Sequence, residues 1–122
     1  AAKDSSLQVP SRSSVVERVR AMSMKAELKL RDRMKDKRPA ITTDIWTSGP
    51  GDTFMCVTAH FIEAGTAELV SATISCRPFP GSHTAKHIAE HLEVVLADFG
   101  ISDSIIALTT DTAANVKCAG TK

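Results

Sequence analysis

The sequence has 122 residues, 43% of them hydrophobic and 24% charged, with a formal net charge of +1. This length fits one domain or part of one, and this hydrophobic fraction excludes a disordered chain. No apolar run approaches the roughly 20 residues that a membrane-spanning helix needs, and the polar start Ala1-Ala2-Lys3-Asp4-Ser5-Ser6 does not read as a secretory signal.

The charge is unevenly placed. Residues 1–38 hold 11 Lys/Arg against 5 Asp/Glu, whereas residues 39–122 hold 4 against 9. A basic lead segment thus precedes an acidic body. That arrangement fits a nucleic-acid partner, and equally a solvated helix that docks on its own acidic body. The three cysteines, Cys56, Cys76 and Cys118, are odd in number, far apart and without a C-x-x-C pair. They argue against a disulfide framework or a local zinc site, and for reduced thiols in or near the core.

In chain order, residues 1–13 read as an irregular lead-in. Ser14-Val15-Val16-Glu17 has the spacing of a capping box. Val15, Val19, Met22, Ala26, Leu30 and Met34 then recur at helical spacing, which predicts an amphipathic helix over 15–36 within a basic segment, 14–38. Its other face carries Arg18, Arg20, Lys25, Lys29, Arg31, Arg33 and Lys35. Lys25, Lys29, Arg31 and Arg33 are candidate contacts to a DNA backbone, which would bind in a salt-dependent, sequence-blind way. A solvated helix face is the alternative. Pro39 is expected to end the helix.

From Pro39 the period changes, and residues 39–122 read as a second, α/β segment. Ile41–Thr47, Phe54–Ile62 and Glu68–Cys76 are predicted strands, joined by the turn sequences Ser48–Asp52 and Glu63–Thr66. Short links favour antiparallel neighbours. Ser82 or Thr84 can cap a second helix whose apolar face is Ala85, Ile88, Ala89, Leu92, Val95, Leu96 and Phe99, with Gly100 as its stop. Ile105–Leu108 is continuously apolar, as a strand covered on both faces would be. A strand after a crossover helix pairs in parallel with an earlier one. If that partner is the first strand, Asp44 and Asp111 lie on adjacent strands.

Neighbouring strands are about 4.8 Å apart, so two carboxylates on one face can grip a divalent cation. Mg²⁺ and Mn²⁺ take such oxygen ligands. Spacing alone leaves a turn or cap role open for each aspartate. His83, His87 and His91 recur at i, i+4 and i+8 off the apolar face, which favours a solvated polar face over a zinc site. Trp46 is expected in the core, and His60 in ordinary packing.

Five stretches, TTDIWTS (42–48), VTAHFI (57–62), ELVSATI (68–74), HTAKHIAEHL (83–92) and TTDTAANVK (109–117), resemble in order and spacing the hAT superfamily of DNA transposases. The nearest resemblance is to their domesticated relatives with BED-type zinc fingers. It implies a partial ribonuclease-H-like fold: an N-terminal helix, then β-β-β-α-β with a mixed sheet. It also implies a metal-binding Asp-Asp-Glu triad, with Asp44 matching the first aspartate and Asp111 the second. Mg²⁺ or Mn²⁺ would activate water or a 3′-hydroxyl, DNA would be the partner, and the nucleus the compartment.

The departures shape the expectation. In the family the glutamate comes later, after a helical insertion, and no residue among these 122 takes that role. Thr112 stands where the family has Asn, and Thr66-Ala67 where a Trp is common. The BED finger and the dimerisation region do not appear. The expectation is a truncated catalytic-domain piece, inactive by itself. Its alternative is a domesticated, non-catalytic module that binds DNA or protein. An uncovered sheet edge would favour self-association, or the remainder of a longer chain.

Overall fold

A computed structural model describes residues 7–110. In chain order it contains α1 (Arg12–Met34), β1 (Ala40–Thr47), β2 (Thr53–Ile62), β3 (Leu69–Pro78), α2 (Ala85–Asp98) and β4 (Ala107–Thr110). The strands form one sheet in the order β3-β2-β1-β4. β2 pairs antiparallel with both β1 and β3, and β1 pairs parallel with β4. This is the expected helix followed by β-β-β-α-β with a mixed sheet. No described helix is long and apolar enough to cross a membrane. The chain divides into two compact units after Leu30.

The first unit holds most of α1. The helix starts earlier than the Ser14 capping box predicts. Ser14 N–H donates to Ser11 Oγ at 3.2 Å, and Val15 N–H to the Ser11 carbonyl at 3.0 Å. Ser11 is therefore the N-cap, because the first hydroxyl after Pro10 can already take an orphan N–H. The apolar stripe is not a core face here. Val15, Val19 and Met22 are exposed.

The second unit begins with the last turn of α1. The helix stops at Met34, well before Pro39. Lys37 N–H donates to the Met34 carbonyl at 3.0 Å, and Asp36 turns the chain at φ 62°. Asp is among the few residues that tolerate this left-handed conformation. Pro39 serves instead at the sheet, where its carbonyl accepts from Ile106 N–H at 3.0 Å just ahead of β4. Met34 is buried, the Arg31 guanidinium lies over the Phe99 ring, and Arg33 donates to Glu63 through Nε at 3.0 Å.

The sheet is buried on one face. Ile41 and Thr43 of β1, and Met55, Val57, Ala59 and Phe61 of β2, alternate with more exposed residues, as period-two geometry requires. Ile88, Leu92, Val95 and Leu96 of α2 form the opposing buried stripe. Thr43 is the polar member of this face in β1 and β2, and its hydroxyl donates to the Cys56 carbonyl at 3.1 Å.

β3 contains a bulge. The register runs Val57↔Ser75 and then Thr58↔Thr73, which leaves Ile74 as the extra residue. Ile74 and Ser75 are consecutive and both buried. Beyond the bulge the alternation is reset: Cys76 is exposed opposite Cys56, and Arg77 reaches Asp98 of α2 at 3.1 Å.

The ends of α2 follow its sequence. Thr84 caps it, with Oγ1 accepting from His87 N–H at 3.2 Å. At the other end Gly100 has φ 67°, its N–H donates to the Ala97 carbonyl, and Ile101 N–H donates to Leu96 at 3.0 Å. This is a Schellman motif, closed by two buried side chains, Leu96 and Ile101. β4 then begins at Ala107, not Ile105. Ile106 and Ala107 are exposed and Leu108 half-buried, so the strand is not covered on both faces. Among the described strands it lies at the sheet edge, with β1 as its neighbour.

The histidine row is not a solvated face either. His83, His87 and His91 are half-buried around the fully buried Phe79, with ring centroids 5.4, 4.4 and 5.1 Å from its own. Phe79 sits just past β3, where its N–H donates to the Thr53 carbonyl at 2.7 Å. An apolar ring placed there draws imidazoles that the helical pattern alone assigns to solvent. Burial pushes the His91 imidazole below its ordinary pKa, and the charges of Arg77 and His87 act in the same direction.

Two outcomes are expected. Gly100→Ala forces a Cβ into the left-handed region and should destabilise the fold by about 1 kcal/mol. A lower urea midpoint at unchanged slope would register it. For His91, the folded pKa lies below the unfolded value of about 6.5, so the unfolded chain takes up the proton first. Its effect is absent well above that pH and grows as pH falls toward the folded value. Melting temperatures taken from about pH 7.5 to about pH 5.5 should fall less steeply in His91→Gln than in wild type.

Candidate functional site

The face of the sheet away from the core carries the first candidate ligand. Asp44 lies in β1 between Thr43 and Ile45, and its side chain is exposed. This position resolves the oddity of a carboxylate inside a strand. The alternation that buries Ile41 and Thr43 turns Thr42, Asp44 and Trp46 to the open face, so no charge is buried. No ion pair or hydrogen bond to another described residue engages the Asp44 carboxylate.

Around Asp44 the open face is built in cross-strand rows. Asp44 is the Cα partner of Cys56, which is in turn the partner of Cys76. On one side of this row Trp46 stacks on Phe54, centroids 5.8 Å apart. Trp46 is 40% exposed, so it is not a core residue; stacking on Phe54 gives it apolar cover on the outer face. On the other side, His60 bridges two strands. Its Nε2 lies 2.9 Å from Thr42 Oγ1, and its Nδ1 2.8 Å from Ser71 Oγ. His60 is thus a structural tie, as ordinary packing predicts.

The cysteines also depart from expectation. Cys56 is half-buried and Cys76 exposed, both on the open face and outside the core. Burial raises the Cys56 thiol pKa, and the neighbouring Cys76 adds to it. Sequence spacing gave no sign of this pair, since 19 residues and a turn separate its members. A bulge in β3 is the missing signal, and no glycine marks it.

The parallel pairing expected of the two aspartate-bearing segments is present. Its register runs Ala40↔Ala107 through Thr43↔Thr110. Asp44 and Asp111 are the next residues in the chain after that last pair. Asp111, Thr112 and Cys118 lie outside the described residues. Among the described residues, no group of three or more His, Cys, Asp or Glu could hold a metal ion. Asp44 supplies one hard oxygen donor, and its partner Cys56 is too soft to suit Mg²⁺. Of the basic candidates, Lys25 and Lys29 are exposed. Arg31 is engaged with Phe99, and Arg33 with Glu63 and Phe61.

The profile of the ZBED1 RNase-like domain family matches residues 42–121, from just before Asp44 to beyond β4. Three curated relatives are similar to part of this chain. The protein named "Putative transcriptional regulator tpeD" of Talaromyces stipitatus is 34% identical over 62% of this chain and 9% of its own length. "Putative AC transposase" and "Putative AC9 transposase" of Zea mays are each 29% identical over 70% of this chain, and over 11% and 10% of their own lengths. The chain therefore spans about a tenth of these relatives. With its mixed sheet and crossover helix, it belongs to the ZBED1 RNase-like domain family, as part of a ribonuclease-H-like domain of hAT-transposase descent.

Proposed function

We propose that this chain is part of a metal-dependent, DNA-directed catalytic core in which Asp44 and Asp111 hold a divalent cation, Mg²⁺ or Mn²⁺. The observation that carries this reading is the parallel β1–β4 register, which ends on Thr43 and Thr110, one residue before each aspartate. The solvent-exposed Asp44 carboxylate supports it, as do two relatives named as transposases. A bound cation would lower the pKa of a water or hydroxyl and stabilise charge on phosphate oxygens. The chain's own part is to hold the Asp44 carboxylate on the sheet, on a face open enough for a nucleic-acid backbone. Such a set also needs a further acid to complete the triad. DNA as partner and the nucleus as compartment belong to this same proposal.

A second reading rests on Lys25 and Lys29, an exposed pair one helical turn apart, and on the relative named as a transcriptional regulator. In it the chain is a non-catalytic DNA-binding module, and α1 contacts the phosphate backbone.

Each reading has a direct test. Trp46 is the only tryptophan and lies two residues from Asp44 on the same strand face. Mn²⁺ bound at Asp44 should quench its fluorescence, and Asp44→Asn should weaken the apparent affinity by more than about tenfold. Identical titrations of variant and wild type would remove Asp44 from the metal site. For the second reading, Lys25→Gln with Lys29→Gln should flatten the plot of log affinity against log salt by about 0.9 for each phosphate no longer neutralised. An unchanged slope would leave the helix as a solvated face.

A further inference from the structure

Cys56 and Cys76 are directly opposed on β2 and β3. Both are free thiols. Thr58 and Thr73, the pair across the bulge, follow on the same face. Antiparallel partners have Cα atoms about 4.5–5.5 Å apart, inside the window of about 4.4–6.8 Å that a disulfide spans. Cys76 is exposed to reagents in solvent, while Cys56 is half-buried behind it. This arrangement owes nothing to local sequence. It exists because the bulge at Ile74 returns Cys76 to the open face.

We propose that Cys56 and Cys76 form a reversible cross-strand dithiol–disulfide site whose reaction partner is a small-molecule disulfide such as oxidised glutathione. The exposed Cys76, as thiolate, attacks one sulfur of that disulfide. The S–S bond breaks, one small thiolate leaves, and Cys76 carries a mixed disulfide. Cys56 then gives up its proton to solvent and attacks the Cys76 sulfur, releasing the second small thiolate. Two electrons pass from the protein sulfurs to the small disulfide, and the two protons lost from the protein are taken up by the two small thiols. The Cβ atoms of cross-strand partners lie about 4.5–5.5 Å apart, slightly wider than the roughly 3.5–4.5 Å of a relaxed disulfide. Exposed or strained bridges of this kind are the labile, reversible ones. The bridge closes in the row that also carries Asp44, but it does not depend on Asp44 binding a metal.

The test uses the reduced full chain, incubated with oxidised glutathione, alkylated and digested. No Lys or Arg lies between Cys56 and Cys76, so trypsin keeps both in one peptide, and Glu63 and Glu68 allow a second protease to separate them. The expected product is that tryptic peptide lighter by two hydrogen atoms and carrying no alkyl group. Cys118 should remain alkylated, and dithiothreitol should restore both thiols. Cys118→Ser should behave as wild type. Cleavage at Glu63 or Glu68 should leave the two halves joined until reduction. In urea, where the fold no longer sets their proximity, closure should slow by about tenfold or more. Bridges to Cys118, two separately glutathionylated cysteines, unreacted thiols, or an equal rate in urea would each overturn the proposal.

Discussion

Burial of one face of the sheet, and one face only, is the constraint on which the rest of this structure depends. Ile41, Met55, Val57, Ala59 and Phe61 meet the stripe of Ile88, Leu92, Val95 and Leu96. Each Val, Leu, Ile, Met or Phe side chain so buried contributes roughly 1.5–3 kcal/mol. Because strand side chains alternate, that burial also decides which residues face outward. Asp44, Trp46, His60 and both described cysteines occupy the other parity. The open face is thus a by-product of the core: no residue on it had to be fully buried to be positioned.

The parallel strand depends on a second device, the end of α2. Gly100 turns the chain, Ile101 and Leu96 close the turn, and Ile106 is then tied to the Pro39 carbonyl. These contacts deliver β4 alongside β1 in the register that ends at Thr43 and Thr110. Phe79 plays a comparable role at the opposite end of the helix, where three imidazoles gather on its ring. Both ends of the crossover helix are therefore fixed before its apolar stripe is counted.

Much of this was legible in the sequence, because it is local. The turn residues of Ser48–Asp52, the Thr84 cap, the Gly100 stop and the apolar stripe of α2 all act within one or two turns of chain, and each lies where its pattern places it. The order of elements, and a parallel partner for the last strand, followed from connection rules, which left open that this partner is β1. What escaped depends on partners distant in sequence. Trp46 leaves the core because Phe54 offers it a surface outside. The histidines leave solvent because Phe79, from beyond β3, reaches them. Ile105 and Ile106 are apolar, yet pairing with β1 begins only at Ala107. The early start of α1 at Ser11 is a smaller case: several hydroxyls competed for one cap.

The bulge at Ile74 has a further consequence for how β3 can vary. Side-chain direction along a strand is a matter of odd and even, and the extra residue inverts that count for everything between it and Pro78. Straightening the strand with Ile74 kept in the ladder would carry Cys76 to the helix side and Arg77 away from Asp98. Deleting Ile74 would instead leave Thr73, Ser75 and Cys76 opposite Thr58, Val57 and Cys56, as they are now. The bulge is thus the one place in β3 where a residue can be lost without turning the rest of the strand over. Across related chains, a one-residue difference in the length of this strand should fall at the bulge.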